Sequence, residues 1–162
     1  MGRMRTHLYQ LHLEWLGNTG SGTSSYRAYS RNHQVTAKPG TPPIPLSSDP
    51  TFRGDEGRYN PEQLLVAALS SCHMLWCLHL CADAGLSVTA YEDDPTGTMA
   101  ENEDGSGEFS EVTLRPMLTL ADPSRENELE TIHHRAHEFC FISRSMNFPV
   151  SVEPRTKAVK TL

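Results

Sequence analysis

The chain has 162 residues, of which 21% are charged and 37% hydrophobic, and carries a formal net charge of −6 at pH 7. That length suits one domain with a sizeable core, and the composition is that of a soluble globular protein. The negative balance, with no lysine or arginine cluster to offset it, excludes a general nucleic-acid binder, which needs a basic face for phosphates.

The first residues, MGRMRTHLYQLHLEWLG, begin basic and then alternate, so they lack the apolar stretch of a signal peptide. Within residues 8–15, Tyr9, Leu11, Leu13 and Trp15 fall on one face and Gln10, His12 and Glu14 on the other. This alternation predicts a half-buried strand. The glycine-rich turn from Gly17 to Gly22 and a return strand from Ser24 to Val35 complete a hairpin. Pro39 to Pro50, dense in proline, serine and glycine, reads as an extended loop that continues through Phe52 and Arg53. The N-terminal hairpin and loop thus occupy residues 1–59.

A central helix is expected over residues 60–85. Asn60 can cap it, Pro61 suits the first helical position, and Glu62 and Gln63 follow where the free amides favour acceptors. Gly85 is the natural stop. Between Leu64 and Ala82 there is no Asp, Glu, Lys or Arg, a length that could just span a bilayer. Ser70, Ser71, His73 and His79 inside the run argue instead for a core helix, buried because it is apolar on nearly all sides. Strands are expected over residues 86–121, from Leu86, Val88 and Ala90 and then Val112, Leu114, Leu118 and Leu120, with Pro116 marking an edge or a bulge. A second helix over residues 122–145 opens at Asp122-Pro123-Ser124, and a C-terminal strand closes the chain within residues 146–162. The order of elements is that of an α+β domain.

The chemistry-bearing residues are the cysteines. Cys72, Cys77 and Cys81 share the central helix, Cys140 stands in the second, and no C-x-x-C spacing occurs. Zinc ribbons and thioredoxin-like motifs are thereby excluded, and a reducing compartment is implied. At about 100° per residue, Cys77 points some 140° from Cys72 and Cys81 points opposite it, so the three cannot all face one cleft. Cys77 and Cys81 read as packing. Cys72, between Ser71 and His73, reads either as a core thiol or as a reactive one. Should Cys140 face it across a helix pair, the two would form a redox couple or part of a metal site.

The segments Asn60-Pro61-Glu62-Gln63-Leu64-Leu65, Ser70-Ser71-Cys72 and Ala136-His137-x-x-Cys140-x-Ile142-Ser143 together resemble the OsmC/Ohr family. The resemblance implies an OsmC-like fold, with antiparallel-rich sheets around two helices in an intertwined homodimer that buries the central helix. It also implies a thiol peroxidase acting on organic hydroperoxides. Cys72 would be the peroxidatic thiol, oxidised to a sulfenic acid, and Cys140 the resolving thiol that condenses with it to a disulfide. An external dithiol would reduce the product, with no bound cofactor or metal. Glu62 matches the acidic residue that orients an arginine beside the thiolate. Because ten helical residues separate Glu62 from Cys72 by about 15 Å, it would act from a partner chain or through that arginine. Sites at a subunit interface, a cytoplasmic location, and no nucleic-acid or membrane partner complete the expectation.

Two departures stand out. The glycine-rich turn Gly20-Ser21-Gly22 lacks the arginine that such proteins carry there, which leaves Arg53, then Arg31, then Arg27 as substitutes. Phe141 follows Cys140 where a proline is common, so the chain resembles a divergent branch. Other readings are a non-enzymatic thiol sensor or carrier, a metal site at His133 and His137, and a cysteine hydrolase pairing Cys72 with His73 or His137. The cluster His133, His134 and His137 otherwise reads as solvent-facing or packing.

Overall fold

The computed structural model describes residues 4–155; the last residues of the expected C-terminal segment, 156–162, lie outside the described residues. Chain packing divides the protein into two compact units, Met1–Leu64 and Leu65–Leu162.

In the first unit, β1 (His12–Trp15), β2 (His33–Thr36) and β3 (Ile44–Leu46) form an antiparallel sheet in that order. Leu13 pairs with Val35, and Val35 with Ile44. Both hairpin strands are shorter than the alternation predicts, and a third strand lies within the segment expected to be loop. The return from β1 bends at Gly17, whose carbonyl accepts from Ser30 N–H at 2.9 Å; a Cβ there would strike the Ser30 carbonyl. Every residue of β1 is exposed in the single chain, so the expectation of a half-buried strand fails. Of its apolar side chains, Trp15 packs edge-on against Tyr29, with ring centroids 5.8 Å apart, while Leu13 stays 62% exposed.

At the end of this unit the N-terminus of the first long helix is built as the sequence predicts. Gln63 N–H donates to Asn60 Oδ1 at 2.8 Å, and Asn60 N–H donates to Gln63 Oε1 at 3.0 Å. This reciprocal pair satisfies two otherwise free amides.

The helix itself, α1, spans Pro61–Asp83 and continues into the second unit. It ends at Gly85, whose φ of 68° suits glycine, while Leu86 N–H closes onto the Cys81 carbonyl at 2.8 Å. Arg125 fastens that end, donating to the carbonyls of Gly85 at 3.0 Å and Ala84 at 3.2 Å. Strand β4 (Val88–Asp93) pairs antiparallel with β7 (Pro116–Leu120). A second sheet has the order β5 (Thr96–Glu101), β6 (Gly107–Leu114), β8 (Val150–Val152), with β6 and β8 parallel. The run from Val112 to Leu120 is therefore two strands in two sheets, separated at Arg115, rather than one bulged strand. Strand β5 lies within the region expected to hold strands, in a stretch to which no individual strand was assigned.

The predicted second helix is also divided. A 3-10 turn covers Pro123–Glu128, capped by the Asp122 carboxylate, and α2 proper runs Leu129–Phe139 before another 3-10 turn at Ser143–Ser145. Cys140 is thus not within a helix: it follows α2 in extended conformation, with φ −64° and ψ 109°.

One core joins Cys77, Leu80 and Cys81 of α1 to Leu118 and Leu120 of β7 and Ile132 and Ala136 of α2. A second joins Leu69 to Val112 and Leu114 of β6. Although α1 is long and apolar enough to cross a bilayer, with mean hydropathy 1.7 over its most apolar window, these residues give it a core face. The opposite side is open, and Leu75 is 59% exposed. In the single chain the helix is thus not buried on all sides: among the described residues, sheet and α2 cover one of its faces.

Candidate active site

Cys72 is half-buried on α1, and Cys140, beyond the end of α2, is buried. The two thiols are neighbours, close enough for Cys72 to push the Cys140 thiol up, and both are free. Burial, with the adjacent Cys72 thiol, pushes the Cys140 thiol up to about 11, against a smaller opposing pull from Ser143 N–H. That amide donates to Cys140 Sγ at 3.4 Å, and Arg144 N–H donates to the Cys140 carbonyl at 3.0 Å. Such local bonds fix the thiol once the helix has ended.

The segment is held against α1 by rings. Trp76, one turn beyond Cys72 and on the same face, packs on Phe139 at 5.2 Å and on Phe141 at 5.8 Å between ring centroids. Phe139 and Phe141 flank Cys140 in sequence, and both are largely exposed. The phenylalanine that departs from the usual proline therefore forms one side of an aromatic frame around the pair. Its sequence signal was the F-C-F triplet itself, read only as a departure.

One turn away is a second constellation that sequence reasoning did not assemble. His73 Nε2 lies 3.1 Å from His133 Nδ1, and Cys77 Sγ lies 3.4 Å from the same nitrogen. All three residues are buried. The two imidazoles stack nearly parallel, with centroids 5.4 Å apart. Burial holds His73 down to about 4, with help from the neighbouring His133 and His137; burial also holds His133 down to about 4, against the pull of Asp93. Burial pushes the Cys77 thiol far up, with Cys81 and Asp93 adding to it. His133 is accordingly neither solvent-facing nor paired with His137 as a chelate; it faces α1. Cys77, read as packing, is in polar contact. Cys81 is packing, its thiol raised by burial alone. His134 is exposed, and His137 is half-buried with an unpartnered Nδ1. The available signal was that His73 and Cys77 stand four residues apart, as His133 and His137 do.

The remaining candidates belong to the first unit. Arg27, Arg31 and Arg53 line one cavity of about 410 Å³ with Tyr29, Asn32 and Asp55. Arg31 is committed within its own loop: it donates to the carbonyls of Tyr29 at 2.7 Å and Tyr26 at 2.6 Å, and its guanidinium covers both tyrosine rings. Arg53 stands in left-handed conformation, φ 64°, a costly state for a residue with a Cβ. Neither Arg53 nor Glu62 joins an ion pair among the described residues.

Fold and site together define an α+β protein with two neighbouring free thiols, Cys72 on the long capped helix and Cys140 beyond the end of α2. The chain belongs to the OsmC-like protein family, whose model matches residues 54–155. Among solved structures, it is similar to an OsmC-like protein of unknown function from Vibrio cholerae at 31% identity and TM-score 0.83, covering 93% of this chain and 100% of that one. It is also similar to an organic hydroperoxide resistance protein, OsmC, from Legionella pneumophila, at 21% identity and TM-score 0.66, over 94% and 100% of the two chains. The organic hydroperoxide resistance protein OhrB of Bacillus subtilis is similar at 20% identity and TM-score 0.62, over 92% and 98%. The last two likenesses speak to the fold alone. No curated protein sequence matches the chain.

Proposed function

We propose that this protein is a thiol-dependent peroxidase that reduces organic hydroperoxides through Cys72 and Cys140. Membership of the OsmC-like family, and the hydroperoxide resistance named for two structural neighbours, point to redox chemistry or peroxide resistance. The observation that carries the finer reading is the half-buried Cys72 thiol within reach of the buried Cys140 thiol. Access differs between them as the two roles require: the attacking sulfur must meet substrate, whereas the resolving sulfur must meet only its partner.

In the first step the Cys72 thiolate attacks the terminal peroxide oxygen. The O–O bond breaks, the alkoxide leaves and is protonated to an alcohol, and Cys72 becomes a sulfenic acid. Cys140 sulfur then attacks Cys72 sulfur; the S–S bond forms, and the sulfenic oxygen departs as water with the proton of the resolving thiol. An external dithiol supplies two electrons and two protons to restore both thiols. The exposed rings of Phe139 and Phe141 offer apolar surface beside the pair, which suits an organic peroxide better than hydrogen peroxide.

For the cation that readies the thiolate we assign Arg53, with Glu62 orienting it. Among the described residues its guanidinium joins no ion pair, and its backbone is left-handed, while Arg31 is engaged by two carbonyls and two rings. The functional form is proposed to be a homodimer with sites at the subunit interface, since Leu11 and Leu13 of the first unit and Leu75 of α1 are exposed in one copy. A reducing cytoplasm matches the free cysteines.

The test is consumption of cumene hydroperoxide by reduced protein with excess dithiol. Turnover should be catalytic in the native chain and absent in Cys72→Ser, and Cys140→Ser should accumulate a sulfenic acid that dimedone traps. Undiminished turnover in Cys72→Ser would sink the reading.

A further inference from the structure

The buried cluster of His73, Cys77 and His133 makes a demand that protons alone do not meet. His73 Nε2 and Cys77 Sγ both converge on His133 Nδ1, at 3.1 and 3.4 Å. If that nitrogen is bare, its single in-plane lone pair accepts from one of the two. If it carries the proton, its one N–H points at one of the two. Either tautomer leaves a close polar contact without its hydrogen, where exposure is 5% or less and an unmet partner costs about 1–3 kcal/mol. A cation instead takes a lone pair from all three atoms at once.

The dimensions agree with this. In a tetrahedral zinc site with Zn–N of about 2.0–2.1 Å and Zn–S of about 2.3 Å, the nitrogen–nitrogen edge is about 3.3 Å and the nitrogen–sulfur edge about 3.5 Å. The three donor atoms here lie within 4.8 Å of one another. His73 and Cys77 come from successive turns of one face of α1 and His133 from α2, two rigid elements that share a core. A thiolate and a divalent ion leave one positive charge. The Asp93 carboxylate stands within electrostatic range of both His133 and Cys77, held by Ser70 Oγ at 2.5 Å and Arg115 N–H at 2.6 Å. Among the described residues, three buried polar atoms at or near the cluster, His73 Nδ1, His137 Nδ1 and Tyr91 Oη, have no hydrogen-bond partner. His133 and His137 also line a cavity of about 550 Å³ through which an ion and its water can arrive.

We propose that His73, Cys77 and His133 bind one zinc ion per chain, with water as the fourth ligand. The ion ties α1 to α2 one residue past Cys72. It also holds Cys77 as a metal thiolate, which keeps that sulfur out of exchange with the redox pair.

Reduced, tag-free full-length protein, stripped with chelator, is titrated with Co²⁺ and then Zn²⁺. The expected result is one Co²⁺ per chain, with a thiolate-to-cobalt charge-transfer band and tetrahedral d–d intensity, displaced by one Zn²⁺ with a rise in Tm. Cys72→Ser/Cys140→Ser should keep the band, and Cys77→Ser should lose it. A native chain that shows no band, or a band that vanishes in the Cys72/Cys140 double variant, overturns the proposal. Should Cys77→Ser fail to fold, the native and double-variant spectra still decide. The outcome is independent of peroxidase turnover, because neither titration requires hydroperoxide.

Discussion

Cys72 and His73 are neighbours on one helix, yet they enter two different kinds of site. Cys72 keeps some exposure, stands one turn before the Trp76 ring that packs on Phe139 and Phe141, and neighbours a thiol that follows the last turn of α2. His73 is wholly buried and meets an imidazole from the middle of α2. The thiol pair is the more open of the two and is fixed at one end by irregular backbone. The imidazole–thiol cluster is enclosed between two helices. The contrast teaches that a 100° step along α1 is enough to separate a reactive position from a rigid one. It also shows why three cysteines on one helix are not equivalent.

Substitutions can break that contrast or sharpen it. The largest expected effect is that of Cys72→Ser, which should return hydroperoxide consumption to the uncatalysed background while leaving Tm nearly unchanged. Next is His73→Ala, which removes a fully buried ring and should cost about 2–4 kcal/mol of stability by thermal or urea unfolding. Should its Tm match the native value, the cluster is not the rigid partner described. Asn60→Ala removes the reciprocal cap of the helix that carries both sites and should cost about 1 kcal/mol, with turnover per folded chain unchanged.

Two smaller effects separate the members of the pair. Cys140 is protonated throughout the neutral range, its thiol standing at about 11, so its thiolate fraction rises roughly tenfold per pH unit up to that point. Peptide mapping after iodoacetamide should therefore find Cys72 labelled first at pH 7, with Cys140 labelling climbing toward pH 11. Equal labelling at neutral pH would contradict the asymmetry. Phe141→Ala trims one exposed ring and should raise KM for cumene hydroperoxide a few-fold at unchanged kcat, with no effect on hydrogen peroxide.

How far the sequence led depends on whether a feature is local. The cap at Asn60 and Pro61 and the stop at Gly85 were legible because each acts within a few residues. Strand β5 was not, since Thr96-Gly97-Thr98-Met99-Ala100 is exposed along its length and has no apolar alternation to read. Phe139-Cys140-Phe141 continued an apolar pattern past the true end of α2, so Cys140 was expected inside a helix that stops one residue earlier. The pairing of Cys72 with Cys140 entered through family resemblance, and the structure brings those thiols together. The meeting of His73 with His133, sixty residues apart, depends on how α1 crosses α2, which no spacing encodes. The apolar alternation of β1 was legible but its exposure was not, because alternation marks a face without saying what covers it.

The measurement that bears most directly on the paired-thiol account is mass spectrometry of the reduced protein after one equivalent of cumene hydroperoxide. The account predicts a loss of two hydrogens per chain and a single cross-linked peptide joining Cys72 to Cys140, with Cys77 and Cys81 still reduced. A disulfide through Cys77 or Cys81, or an unreacted Cys72, would contradict it.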